Sequence, residues 1–326
     1  MEGNVTMSKK GFLYILGATV IFSTMEIALK LVSGHFNPMQ MTFTRFLVGG
    51  LFLIPFARGA LKKRPGVHIA RRDLAKFALL GTIGVLLSMT IYQIALLMAP
   101  ASVVAVLFSS NPIFVVVFAF LILREPIRKH QVAALALDIL GILILIDPLH
   151  TQLSPVGIAL ALISTLLFAL YGVMGKKECQ RFGGLTVTCG SFLFGGTEMF
   201  LFILLTKIPA VAQWFAGQGL DLFANIPLFG GYSWDVLPVV IYICLVNSGL
   251  GYACYFMAME ETSASETSLI FFFKPILAPI LAFLILHEAI TLNMLLGIAC
   301  ILAGSLVSLV PDLLKARRAS LPQGKA

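Results

Sequence analysis

Residues 271–288 read FFFKPILAPILAFLILHE, a run of hydrocarbon with an ammonium at Lys274, directly before Pro275. A lysine at such depth costs about 2.5–3.5 kcal/mol on insertion scales, so it needs an acid, a wet cavity or an anionic ligand. Two readings stand. Lys274 is an internal counter-ion to Glu266 or Glu198, or it faces a cavity, where it holds a substrate carboxylate or carries a proton. Glu26 and Arg45 lie equally far from the turn GHFN at 34–37. If the runs on either side form an antiparallel hairpin, the two charges face each other about 10–12 Å deep at 1.5 Å per residue. They are then either a structural ion pair or groups that meet substrate or proton. Asn111, like Lys274, precedes a proline and offers neutral hydrogen bonds. Glu198 and Asp138 are further acids inside apolar runs, and Asp138 is expected to hydrogen-bond a neighbouring helix near Gly141. Tyr92, Gln93, Tyr171, Asn247, Tyr252 and Tyr255 add hydroxyls and amides for a polar pocket. The candidate substrate-binding set is therefore Lys274, Asn111, Glu26, Arg45, Tyr92, Tyr171, Asn247, Tyr252, Tyr255 and Glu198.

These groups can bind and can move protons, but no catalytic constellation stands beside them. The five cysteines form no CxxC, the five histidines form no HExxH, and no P-loop is present. No metal, cofactor or enzymatic activity is expected, and any driving force must be a proton gradient or an exchanged solute.

The elements that carry these residues are dictated by solvent. The chain has 326 residues, 59% of them hydrophobic and 12% charged, with a mean hydropathy of +0.98. A water-soluble chain carries about 25% charged residues, so much of this surface must face lipid. The net charge of +8 then suits anionic headgroups; no basic stripe interleaved with stacking aromatics is present, and nucleic acid is not an expected partner. Runs of about 20 apolar residues fall at 11–33, 38–57, 74–97, 101–123, 129–147, 155–177, 185–206, 236–258, 263–286 and 291–311. The lead MEGNVTMSKK contains no cleavable signal and enters the first run directly. Lys and Arg orient the spans. With both termini cytoplasmic, the loop at 58–73, the turns near 124–129 and 176–181, and the tail at 313–326 are inside. Lys207 alone is outside, and Lys30, Arg45 and Lys274 lie within spans.

The chain repeats itself. ASVVAVLFSSNPIFVVVFAFLILREPI (101–127) lies over ASETSLIFFFKPILAPILAFLILHEAI (264–290) at a constant offset of 163. Pro112 falls on Pro275, Glu125 on Glu288, Gly141 on Gly304, Pro148 on Pro311 and Tyr92 on Tyr255. RFLVGG (45–50) lies over SFLFGG (191–196) at an offset of 146, with Phe22 on Phe168. The two offsets differ by 17, which predicts one insertion between spans seven and eight, where the long connection at 207–235 carries Trp214 and Trp234. Glu26 and Arg45 fall on Gly172 and Ser191, so their charges occur in one half only. An odd number of spans per half puts the halves in opposite orientations. The expected fold is therefore all-α and polytopic: ten transmembrane helices as two inverted five-helix repeats, residues 8–148 and 155–312. Inverted repeats with a site near the midplane characterise secondary transporters. The GG pairs at 49–50 and 195–196 are expected to permit close helix contact.

NPIFVVVFAFLILREPI, KPILAPILAFLILHEAI and RFLVGG, set in two five-span halves, resemble the EamA-type transporters of the drug/metabolite transporter superfamily. The resemblance covers nearly the whole chain, apart from the insertion. It implies a bacterial-type inner-membrane carrier with a central cavity, for amino acids, amines, sugars, nucleotide-like metabolites or drugs. With buried Lys, Arg and Glu, the expected function is secondary active transport of an amino acid or related zwitterion by alternating access, proton-coupled or by exchange. The alternative is export of organic cations or amines; a passive channel or a membrane enzyme is more distant. Expected partners are the small-molecule substrate, protons and membrane lipids.

Overall fold

Lipid offers the backbone no hydrogen-bond partners, so apolar runs of this length must close their bonds internally as helices. A computed structural model describes residues 8–127, 129–147 and 153–320. Pro148, Arg128 and the last six residues of the basic tail lie outside them. Eight helices are long and apolar enough to cross a membrane. They are α1 (Lys9–Leu31), α2 (Pro38–Lys62), α3 (Arg71–Met98), α4 (Ala101–Leu123), α5 (Lys129–Ile146), α6 (Pro155–Phe182), α7 (Gly184–Leu205) and α8 (Leu237–Glu261). Two more helices, α9 (Ile270–Leu286) and α10 (Leu292–Ser320), stand where spans nine and ten are expected and contain the shorter apolar stretches Lys274–Leu286 and Leu292–Gly304. Apolar side chains point outward along the helices, among them Phe12, Leu13 and Leu16 on α1 and Phe283, Leu284 and Ile285 on α9. That outward face is what lipid contact requires.

Local chemistry sets the helix ends. Asn37 accepts from the Met39 amide with Pro38 in the first turn, and Ser154 accepts from the Gly157 amide with Pro155 in the first turn. The repeat is visible in backbone geometry. Arg124 and His287, 163 residues apart, both take the left-handed conformation, at φ 59° and 57°. The next amide in each case reaches back to an equivalent carbonyl, Glu125 to Ala119 at 3.2 Å and Glu288 to Ala282 at 3.3 Å. Wide π-type turns occupy Thr82–Met89 in α3 and Tyr242–Gly251 in α8.

Helix packing follows the same two-fold pattern. α2 lies on α7, α5 on α10 and α4 on α9; α1 packs on α8 as α6 packs on α3. The paired glycines sit at these crossings. A Cβ at Gly49 would lie 3.0 Å from the Cys244 carbonyl of α8, and one at Gly195 would lie 2.9 Å from the Gly81 carbonyl of α3. Residues 81 and 244 are equivalent, so the two crossings are copies of each other.

One expectation about packing needs correction. α1 and α2 are joined by a tight turn but do not pack along their length; α1 leans on α8 and α9 while α2 leans on α7 and α8. Counting depth from the turn therefore does not find partners. The break before α9 falls at Ser268–Leu269, and the helix runs through Pro275 and Pro279. The connection at 207–235 is partly helical, with a helix at Pro209–Gly217 and a 3₁₀ turn at Asp221–Phe223.

Candidate functional site

The charges gather where the two halves meet. The Lys274 ammonium of α9 lies 2.5 Å from Glu26 Oε1 of α1, and both side chains are fully buried. The Tyr92 hydroxyl of α3 donates to the same carboxylate oxygen. Lys274 also sits over the Phe108 ring, 4.6 Å from its centroid, with Phe271 and Tyr92 near 6 Å. The counter-ion of Lys274 is thus Glu26, not Glu266 or Glu198. Glu266 closes a capping box with Ser263, and Glu198 accepts from Thr82 Oγ1 at 2.9 Å on a half-buried face.

Arg45 does not pair with Glu26. It is fully buried, its guanidinium lies 4.5 Å from the Phe46 centroid, and Nη1 points at Met25 Sδ at 3.7 Å. Nε and Nη2 have no hydrogen-bond partner among the described residues, and neither has Glu26 Oε2. Glu26 lies in the electrostatic surroundings of Arg45, beyond ion-pair contact. In formal charges the centre holds two cations and one anion.

Tyrosines and phenylalanines wall this centre. Tyr252 stacks edge-on with Phe22, Phe46, Phe168 and Phe192, and its hydroxyl donates to Met89 Sδ at 2.9 Å. Phe108 bridges Tyr92, Phe168 and Phe271. Asn111 follows a break in α4 at 109–110 and is buried, with Nδ2 donating to the Thr165 carbonyl at 3.3 Å and Oδ1 without a partner among the described residues. Asn247 ties α8 to the break in α1, donating to Ile21 O at 2.9 Å and Thr24 Oγ1 at 3.0 Å. Asp138 is separate, on α5 facing Gly304 of α10; its Oδ1 has no partner among the described residues. All the centre's aromatic and charged side chains are buried, so it is closed to solvent, in contrast to the open central cavity that the resemblance implies. A cleft of about 710 Å³ lies elsewhere, at the end of the bundle lined by Tyr14, Arg64, Gly183 and Glu260.

The pseudo-symmetry explains the layout. Glu26, Tyr92, Lys274 and Arg45 have as equivalents Gly172, Tyr255, Asn111 and Ser191. Part of the neutral set assembles in the same way: the Tyr255 hydroxyl occupies the space that a Cβ at Gly172 would take, and Ser191 bonds Tyr171, the equivalent of Met25, at 2.8 Å, while Asn111 turns to the Thr165 carbonyl instead. The molecule thus holds two copies of one constellation, one charged and one neutral.

Sequence reasoning missed Lys30 and Lys176, which the offset of 146 makes equivalent. Lys176, expected in a cytoplasmic turn, is buried inside α6. Its ammonium binds the carbonyls of Met259, at 2.8 Å, and Thr262, and Lys30 binds those of Leu96, at 2.6 Å, and Ala99, at 3.3 Å. The signal was present: Leu96 and Ala99 lie 163 residues before Met259 and Thr262.

Known proteins share this plan. The chain is 32% identical to an uncharacterized transporter of Clostridium kluyveri, over 92% of this chain and 93% of that one. It is 26% identical to protein PecM of Dickeya dadantii, over 83% and 82%. An S-adenosylmethionine uptake transporter of Rickettsia prowazekii is 25% identical over 51% of this chain and 55% of its own. A crystal structure with 17% sequence identity superposes with a TM-score of 0.68, covering 93% of this chain and 98% of that one, and so shares its fold. The model of the EamA-like transporter family matches residues 9–147 and again 155–310. A twice-matched family model, laid over two copies of one helical constellation in a lipid-facing bundle, makes this chain a membrane transporter of the EamA-like transporter family.

Proposed function

We propose that this transporter moves an amino acid or a related zwitterion by alternating access. The observation that supports this reading best is the buried centre of Glu26, Lys274 and Arg45, with one anion set against two cations. An uncompensated cation inside a membrane protein is costly and marks a substrate or ion pathway. A ligand that brings one carboxylate completes the charge balance, and Glu26 Oε2, without a partner among the described residues, is free to accept from its ammonium. The similarity to an S-adenosylmethionine uptake transporter agrees with this, because that solute carries an amino-acid head. Glu26, bonded to both Tyr92 and Lys274, is the proposed carrier of a coupling proton; exchange of one substrate for another is the other mode that needs no further site. The basic loops favour the bacterial-type cytoplasmic membrane, with both termini inside. A second reading has its own support: Tyr92, Phe108, Phe168, Tyr252 and Phe271 form an aromatic enclosure suited to an organic cation.

Purified protein in liposomes, loaded either with amino acids or with the matching decarboxylated amines and assayed with the same solute labelled outside, separates the two. Counterflow of an amino acid that exceeds its amine at least tenfold supports the zwitterion reading. Counterflow of the amines alone overturns it in favour of the cation.

A further inference from the structure

We infer that the open edge of Arg45, Nε and Nη2, is the carboxylate subsite, and that Lys274 is not. This deepens the zwitterion reading and rests on it. Nε–H and Nη2–H lie on one side of the planar guanidinium and together form the fork that grips a carboxylate in two parallel bonds. In this structure that fork is the part of Arg45 left without partners, while Nη1 is turned to Met25 and the face is stacked on Phe46. Lys274 is committed: Glu26 holds it, and three aromatic rings surround it. A fully buried guanidinium with two free donors bears a desolvation cost that nothing else among the described residues relieves. The carboxylate of a solute relieves it, and the neutral copy of the site, with Ser191 in place of Arg45, offers no such fork.

The test uses the wild type, Arg45→Lys, Arg45→Gln and Lys274→Gln in liposomes. The probes are the proteinogenic amino acids and their carboxamides. Arg45→Lys keeps the charge but loses the fork, so it is expected to weaken half-saturation by the transported amino acid at least tenfold while leaving its carboxamide within twofold. Arg45→Lys, as a conservative change, also serves if Arg45→Gln does not fold. Amino-acid affinity that survives in both Arg45 variants and falls in Lys274→Gln overturns the assignment but leaves the function standing. A wild type that carries no amino acid overturns the function itself.

A second inference stands on different observations: Lys30 with Glu288 at one end of the bundle, and Lys176 at the other, form latches on equivalent turns. The turn from α3 to α4 at 98–101 ends one helix and starts another. Lys30 of α1 takes the carbonyls of Leu96 and Ala99, at the negative end of α3. Glu288, just beyond α9, takes the amides of Ala101 and Ser102 at 2.8 and 2.9 Å, and the Ser102 hydroxyl at 2.5 Å. Pro100 stands at the cap position of α4 without a capping side chain, so a residue from the other half supplies the cap. Cation and anion thus grip opposite sides of one turn. α1 and α9, which bring them, pack on each other. At the other end Lys176 grips the carbonyls of Met259 and Thr262, and Ser263 and Glu266 cap the helix that follows. Opening either end requires its turn to leave its latch, and the two latches hang on equivalent helices, Lys30 on α1 and Lys176 on α6.

The test places one cysteine at Ser109, buried beside the centre, in a background with the five native cysteines replaced. An impermeant thiol reagent is applied from each side of oriented vesicles. Glu288→Ala and Lys30→Met are expected to raise the labelling rate at least threefold from the side of the 34–37 turn. Lys176→Met is expected to raise it from the opposite side. Shifts to the same side, or lower thermal stability with no shift in sidedness, overturn the latches.

Discussion

At the scale of residues, Glu26 and Lys274 neutralise each other inside a medium that tolerates neither alone. Removing one partner of a buried pair leaves an uncompensated charge and costs about 3–5 kcal/mol, whereas replacing both by neutral groups is often without cost. Glu26→Gln and Lys274→Met are therefore each expected to lower the unfolding temperature in detergent markedly. The double variant should regain most of the loss, and a double variant as unstable as the two losses combined would refute the pairing. If Glu26 also carries the coupling proton, the stable double variant should equilibrate substrate but no longer concentrate it against a pH gradient. The sequence revealed which charges are buried but not which ones meet. Depth counted from the 34–37 turn pointed Glu26 at Arg45, because a tight turn was taken to mean packed neighbours. The contact that decides the matter comes from Lys274, almost 250 residues away, on a helix that the turn says nothing about.

Elements are held by close approach as much as by burial. A Cβ at Gly81 would stand 2.5 Å from the Gly195 amide nitrogen, so α3 and α7 cross with no room for a methyl group and only backbone to yield. Gly59, on α2, has nothing within 4 Å of the same construction. Gly81→Ala is expected to destabilise by about 1–3 kcal/mol, as overpacking does. Gly59→Ala should be neutral or gain about 0.5–1 kcal/mol, since glycine is a poor helix residue. Thermal unfolding of both proteins checks this; equal effects would mean that the crossing is looser than described. Much of this scale was legible. The spans, the Asn37–Pro38 and Ser154–Pro155 starts and the close-packing role of the two GG pairs follow from residue type alone. The π-type turns in α3 and α8 did not, because an i→i+5 bond leaves no residue signature. Nor did the break at Ser268–Leu269, because neither residue is a helix breaker.

For the whole molecule, the two ends are closed by different physics. At the end carrying the 58–73 loop the halves are joined by ions: Lys76 to Glu178 at 2.9 Å, Arg181 to Asp73 at 2.7 Å, and Arg64 to Glu260. At the other end the inserted connection folds over the 34–37 turn. Asn37 donates to the Leu222 carbonyl at 2.9 Å, Gln40 to the Gly230 carbonyl at 2.7 Å, and Phe36 packs on Tyr232 at 4.8 Å between centroids. The insertion was visible as a difference between two offsets, but its use as a cover depends on contacts that no offset encodes. If the basic end is cytoplasmic, a cysteine at His68 should react with an impermeant reagent only in permeabilised cells, and one at Gln218 in intact cells; the reverse would invert the topology. Salt then separates the two closures. Exposed pairs are worth about 0.2–1 kcal/mol each, and the screening length falls from about 10 Å at 0.1 M to about 3 Å at 1 M. Raising salt over that range should speed labelling of a cysteine at Ser109 from the basic end. From the covered end, where neutral hydrogen bonds and aromatic contact hold the lid and the Lys30 and Glu288 contacts are part-buried and little screened, the rate should stay constant. Equal acceleration from both sides would mean that the ion pairs do not keep the basic end shut.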